Sequence, residues 1–208
     1  MTHRITTSDP KFFLREDESD DSVFYAFPRF VTHIDDATIA AITEFYREIL
    51  KPDDRILDLM SSWISHLPEE MNFQQVEGLG MNRLEMEHNP RLDKFVVQNL
   101  NNNPELPWSD DSFDKVLIAV SIQYVTRPYE VFREIGRILK KNGQCIVLLS
   151  HRIFPTKAVR GFMLLPPHER CHLVGDYMET GANLKEVEII DRSPANADPL
   201  WIVKGSKP

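Results

Sequence analysis

The stretch KVLIAVSIQYVTRPYEVFREIGRILKKNGQCIVLLS, residues 115–150, reads as two buried strands joined by an amphipathic helix. Val116-Leu117-Ile118-Ala119-Val120 and Cys145-Ile146-Val147-Leu148-Leu149 are continuous apolar runs, the pattern of strands covered on both faces. Between them, Val131, Phe132, Ile135, Ile138 and Leu139 recur at helical spacing on one face. Pro128 suits the first turn of such a helix, and Lys140-Lys141-Asn142-Gly143 places cations and a glycine at its end. The spacing predicts strands over 115–122 and 144–150 and a helix over 129–139.

The same alternation extends upstream. Short apolar runs bounded by turn residues predict strands at 55–60, 75–79 and 94–97, with helices at 63–71 and 82–89 between them. Before the first strand, Ile39, Ile42, Phe45, Tyr46 and Ile49 form one face of a helix over 36–50, capped by Asp35 or Asp36. Downstream the pattern changes. Residues 184–190 alternate with period two and 199–204 follow after a short loop, which predicts an antiparallel edge. The expected class is α/β: a doubly wound, mostly parallel seven-stranded sheet with an antiparallel C-terminal hairpin.

The 208 residues are 42% hydrophobic and 27% charged, which excludes wholesale disorder and coiled-coil rods and suits one domain. With 24 basic against 32 acidic side chains the net charge is −8, so a nucleic-acid partner is not expected. No apolar run approaches the roughly 18 residues of a membrane-spanning helix. Two cysteines and a polar start without an apolar signal core point to a reducing cytoplasm. The run Glu16-Asp17-Glu18-Ser19-Asp20-Asp21 is self-repelling, so residues 1–22 are expected to form a mobile acidic arm. The aromatic segment that follows must cover core or ligand, and residues 23–35 are read as a lid on a domain spanning 23–208.

Certain motifs are more specific than this pattern. Leu106-Pro107-Trp108 followed by Ser112-Phe113-Asp114-Lys115-Val116 resembles the Leu-Pro-aromatic then Ser-Phe-Asp-x-Val signature of class I S-adenosylmethionine-dependent methyltransferases of the type 11 branch. Glu134-Ile135-Gly136-Arg137-Ile138-Leu139-Lys140-Lys141-Asn142-Gly143 is similar to the same family's Glu-x-x-Arg-Val-Leu-Lys-Pro-Gly-Gly, with Lys141 and Asn142 in place of Pro and the first Gly. The resemblance spans roughly residues 36–204 and implies a Rossmann-like methyltransferase fold, S-adenosylmethionine as cofactor and a small-molecule acceptor. The chain departs from it at the first strand, where Asp58-Leu59-Met60-Ser61-Ser62-Trp63 keeps the acid and replaces every motif glycine.

In an open α/β sheet ligands bind beyond the carboxyl ends of the strands, near the point where strand order reverses. That rule selects Asp58, Met60, Ser61, Ser62, Gly80, Asn82, Asn99 and Leu100 as cofactor-binding candidates. Ser61 and Ser62 offer donors to a carboxylate, and Asn82 is the hydrogen-bonding side chain nearest Gly80, where the family has its ribose-binding acid. Asn99 stands where the family has an acid facing adenine. Tyr25, Arg29, Gln123, Tyr124 and Arg152 are substrate-binding candidates on the lid and after the fourth and fifth strands. His33 and His151 are candidate catalytic bases, since an unperturbed imidazole titrates near 6.5.

His168-Glu169-Arg170-Cys171-His172 is a literal H-E-x-x-H. Cys171, Leu173, Val174, Tyr177 and Met178 form the apolar arc of that helix, leaving both histidines on its other side, so solvated histidines are expected and no metal. Two functions stay open at this point: methyl transfer to a carbon, oxygen or sulfur acceptor, and a methyltransferase-fold protein that binds without catalysis. The absence of Asn-Pro-Pro-aromatic at Ser121-Ile122-Gln123-Tyr124 argues against methylation of base or glutamine amino groups.

Overall fold

Apolar side chains that alternate between two faces are what a sheet covered on both sides requires, and the central strands supply them. The computed structural model describes residue 9 and residues 11–208. Its strands are β1 (Arg55–Leu59), β2 (Gln75–Gly80), β3 (Lys94–Val97), β4 (Phe113–Ala119), β5 (Leu139–Leu149), β6 (Lys185–Asp191) and β7 (Trp201–Ser206). They form one sheet in the order β3-β2-β1-β4-β5-β7-β6. The first five pair in parallel, and β7 runs antiparallel to both β5 and β6. The chain reverses between β1 and β4, which opens a crevice beyond their carboxyl ends.

The helices are α1 (Asp21–Phe24), α2 (Asp36–Ile49), α3 (Arg83–Glu87), α4 (Pro128–Ile138), α5 (Arg160–Leu164) and α6 (Pro167–Asp176). On one face Leu57, Val116, Ile118 and Val147 pack with Phe132 and Ile135 of α4 and Leu173 and Val174 of α6. On the other, Ile56, Leu117, Ile146 and Leu148 pack with Ile42, Phe45 and Tyr46 of α2. Asp35 caps α2 by accepting from the Thr38 N–H at 2.8 Å. Among the described residues no helix is long and apolar enough to cross a membrane.

Two sequence expectations give way. Residues 63–71 are not helical: Pro68 lacks a helical N–H, His66 is left-handed at φ 56°, and the Ser61 and Ser65 hydroxyls bond to Asp58 instead. The strand expected over 115–122 ends at Ala119, and Ile122–Tyr124 forms a 3₁₀ turn.

The acidic run is also fastened rather than loose, because cations distant in sequence meet it. Lys157 is 0% exposed, donates to the Ser19 carbonyl at 2.8 Å, and pairs with Asp17 at 3.1 Å and Asp21 at 3.2 Å. Arg15 closes on Asp21 at 2.6 Å, and the Phe12 ring packs over Gly161. Residues 1–8 and 10, the rest of the expected arm, lie outside the described residues.

Candidate active site

The ends of β1 to β4 and the N-terminal segment enclose a cavity of about 380 Å³. Asp58, Met60, Ser61, Ser62, Gly80, Asn82, Asn99 and Leu100 all line it, as do Tyr25, Arg29, His33, Tyr124 and Arg152. The sequence therefore located the chamber. Two candidates fall outside it. Gln123 is buried behind the wall, its amide donating to the carbonyl of Val120 at 2.9 Å, because the 3₁₀ turn after β4 directs it inward. His151 is half exposed and meets Asp198 at 3.0 Å, away from the cavity.

The loop after β1 holds its course without glycines. Met60 takes the left-handed backbone at φ 62°, and the Ser61 N–H donates to the Leu79 carbonyl at 2.8 Å. Ser61 and Ser65 both donate their hydroxyls to Asp58 at 2.6 Å. Asn89 donates to the Ser62 carbonyl and to the Ser65 hydroxyl, each at 2.9 Å. Burial pushes the Asp58 carboxyl up to about 6, against the two hydroxyl bonds that favour its ionised form. Gly80 is needed for this route, since a Cβ there would lie 2.2 Å from the Ser61 carbonyl oxygen.

Three side chains expected to face a ligand are engaged by the protein. The Ser61 and Ser62 hydroxyls donate to Asp58 and Glu85, so neither retains a donor for a carboxylate. Asn82 caps α3 through its oxygen, accepting from the Glu85 N–H at 3.1 Å, and its amide donates to the Tyr25 carbonyl at 2.8 Å. It ties the lid to the sheet. Asn99 accepts from the Asn101 N–H at 2.9 Å, which leaves its amide donor and a second lone pair.

Glu85 was not singled out from sequence, although Asn82-Arg83-Leu84-Glu85 is a capping-box spacing. Its buried carboxylate lines the cavity, accepting from the Ser62 hydroxyl and from the Arg29 N–H, both at 2.7 Å. It is an acid at the third position of α3, just beyond the end of β2. His66 is a second addition: its buried Nδ1 has no partner, and burial holds the ring's pKa down to about 4. The Ser121 hydroxyl on the same wall is buried without a partner too. Next to it Val120 is left-handed at φ 49°, a strained state for a β-branched residue, held by its N–H bond to Leu148 at 2.9 Å.

His33 stands at the cavity mouth with its ring edge-on to Phe154 at 5.2 Å. Burial lowers its pKa, the Glu85 charge raises it, and the Arg29 charge lowers it again. Burial raises the phenol pKa of both Tyr25 and Tyr124, so both stay protonated near neutrality. His168 and His172 are exposed on α6, far from this chemistry in kind, and no group of three or more metal-ligating side chains occurs among the described residues.

Residues 78–147 match a methyltransferase domain family, the type 11 model, and cover β2 through most of β5. The match covers about a third of the chain, and that segment is similar to a type 11 methyltransferase domain. No curated protein matches it by sequence. Among solved structures it is similar to the [4+2]-cyclase SpnF, with 16% identity over 80% of each chain and a TM-score of 0.60. A possible histamine N-methyltransferase of Thermotoga maritima shares 18% identity over 82% of this chain and 90% of that one, with a TM-score of 0.58. A phosphoethanolamine N-methyltransferase 2 of Haemonchus contortus, solved with S-adenosyl-L-methionine, shares 14% identity over 83% of this chain and 52% of that one, also at 0.58. At these identities the likeness is one of fold, that of S-adenosylmethionine-dependent methyltransferases.

Proposed function

We propose that this methyltransferase domain binds S-adenosylmethionine over β1, β2 and β3 and directs its methyl group to a carbon, oxygen or sulfur atom of a small molecule held under the lid. The observation that carries the reading is the chamber itself: one cavity of about 380 Å³ joins the β2–β3 side to the β4 end, and three residues that line it, His66, Ser121 and Arg29, each carry a buried polar atom without a partner. Buried polar atoms without partners are costly in a folded chain, and a polar ligand in the chamber relieves them.

In this reading Glu85 accepts from the ribose hydroxyls, Asn99 meets the adenine edge, and Leu100 packs on the base. Asp58 acts indirectly, by holding the Ser61–Ser65 loop that forms the floor. The bound cofactor supplies an already activated methyl group, so the protein's part is positioning and exclusion of water. An acceptor that must lose a proton passes it to His33, whose lowered pKa keeps the imidazole neutral and basic at pH 7.

A binding protein without catalysis is favoured by one observation, the engagement of Ser61, Ser62 and Asn82 by other protein groups. Calorimetric titration with S-adenosylmethionine and S-adenosylhomocysteine tests the proposal. Micromolar binding of both, weakened about tenfold by Asn99→Ala, is expected for one lost hydrogen bond. No heat with either ligand refutes it.

A further inference from the structure

Arg29 is held as a residue that waits for an anion. Its Nη2 donates to the Phe24 carbonyl at 2.9 Å, and its guanidinium carbon lies 4.6 Å from the centre of the Phe24 ring. Tyr25 at 5.8 Å and Phe154 at 5.7 Å complete an aromatic clamp. Such packing fixes the plane of the group and strips its water. Its Nη1 is nevertheless buried with no hydrogen-bond partner, and among the described residues the guanidinium has no carboxylate in ion-pair range.

Neighbouring charges do not satisfy it. Glu85 receives the backbone N–H of Arg29, not its guanidinium. Asp21 is engaged by Arg15 and Lys157. Arg152, the other guanidinium lining the cavity, is paired with Asp198 at 2.8 Å. Among the described residues the chamber lining therefore has one permanent cation without an ion-pair partner, in a chain of net charge −8.

Its position tells which ligand it serves. Phe154 follows β5 and stacks on Tyr124, which follows β4, at 5.8 Å, and His33 touches the same Phe154 ring. The Arg29 guanidinium thus meets, through Phe154, the side of the cavity over β4 and β5, while its backbone N–H is bonded to Glu85 of α3. The unpaired Nη1 is a charged donor that one carboxylate oxygen can meet; a phosphate dianion would need the second cation that Asp198 already holds.

We propose that Arg29 binds a carboxylate on the methyl acceptor, with a flat or aromatic body against Tyr25 and Phe154 and its reacting atom near His33. The word acceptor rests on the methyltransferase reading, whereas the carboxylate site does not. It follows that the acceptor carries a carboxylate, whichever atom receives the methyl group.

The test compares benzoate with benzamide, its uncharged isostere, by ligand-observed NMR titration of the full chain, with and without saturating S-adenosylhomocysteine. The wild type is expected to prefer benzoate at least tenfold, Arg29→Lys to retain part of that preference, and Arg29→Gln to lose it. Unchanged benzamide affinity shows that each variant is folded. S-adenosylhomocysteine affinity should stay within twofold in Arg29→Gln. Equal binding of benzoate and benzamide by the wild type overturns the proposal. So does a tenfold loss of S-adenosylhomocysteine in Arg29→Gln with 5′-methylthioadenosine unaffected, since the carboxylate would then be the cofactor's. A wild type that ignores S-adenosylhomocysteine yet prefers benzoate refutes the methyltransferase reading and leaves the carboxylate site standing.

Discussion

Replacing Gly80 by Ala tests whether the loop after β1 is held as described. A methyl at that position would lie 2.2 Å from the Ser61 carbonyl oxygen and 3.0 Å from the Met86 sulfur. The sulfur can swing aside, but the carbonyl cannot retreat alone, because the Ser61 N–H is bonded to Leu79 and its hydroxyl to Asp58. Overpacking of this kind costs about 1–3 kcal/mol. Loss of the two Ser61 bonds adds about 1 kcal/mol each, giving about 3–5 kcal/mol in all. For a domain of this size that corresponds to a fall in melting temperature of about 8–15 °C. Gly175→Ala is the control, since a Cβ there meets only Val187 at 3.4 Å and alanine favours the α6 helix by up to about 1 kcal/mol. Thermal unfolding followed by circular dichroism reads both. A Gly80→Ala protein that melts within 2 °C of wild type, as roughly 0.5 kcal/mol would do, would falsify the loop argument.

Other perturbations probe the charges. The displacement of the Asp58 carboxyl from 3.8 to about 6 means that the folded state holds its proton longer than the unfolded chain, so this group's contribution to stability falls as pH rises from 4 to 6 and is level above. The span corresponds to about 3 kcal/mol, and Asp58→Asn should remove that slope in urea unfolding at stepped pH; a persistent slope assigns it elsewhere. Lys157→Met leaves the buried Asp21 without one of its two cations, and should cost about 3 kcal/mol and speed proteolytic cleavage between Glu16 and Asp20; an unchanged digestion pattern rejects the anchoring role. Since burial lowers the His33 pKa below 6.5, single-turnover methyl transfer that needs its lone pair should rise with pH below that value and be flat by pH 7. His33→Gln should slow it by about 10²–10⁴, and a full rate in that variant excludes a histidine base.

How far the sequence carried depended on whether the deciding contacts were local. Strands β1 to β5, helices α2 and α4 and the antiparallel end were legible because periodicity and caps are properties of neighbouring residues. Trp63, Ile64, Leu67 and Met71 imitate a helical face, and only the bonds of Ser61 and Ser65 to Asp58 show why that segment stays extended. The acidic run looked loose because its cation, Lys157, lies more than a hundred residues away. In the site, residue positions were legible and residue partners were not. Asn82 and Ser62 were placed correctly at the cavity, yet their hydrogen bonds go to Tyr25 and Glu85, neither adjacent in sequence.

The missing glycines illustrate the same distinction. A glycine-rich turn gains its course from backbone freedom, so its loss from residues 60–64 suggests a damaged site. Here the freedom is replaced by restraint: Met60 accepts a left-handed backbone, two hydroxyls close on Asp58, and Asn89 fastens the far side. One glycine is still required, but it has moved to the facing strand, where Gly80 lets the Ser61 carbonyl pass. Because both hydroxyl bonds converge on a carboxyl whose pKa is about 6, the loop's stiffness is coupled to one proton in a way that a glycine turn is not. Protonation weakens the bonds from Ser61 and Ser65 but removes the larger cost of a buried charge, so mild acid should favour the buried arrangement of the chamber floor, well above the pH at which ordinary carboxylates titrate.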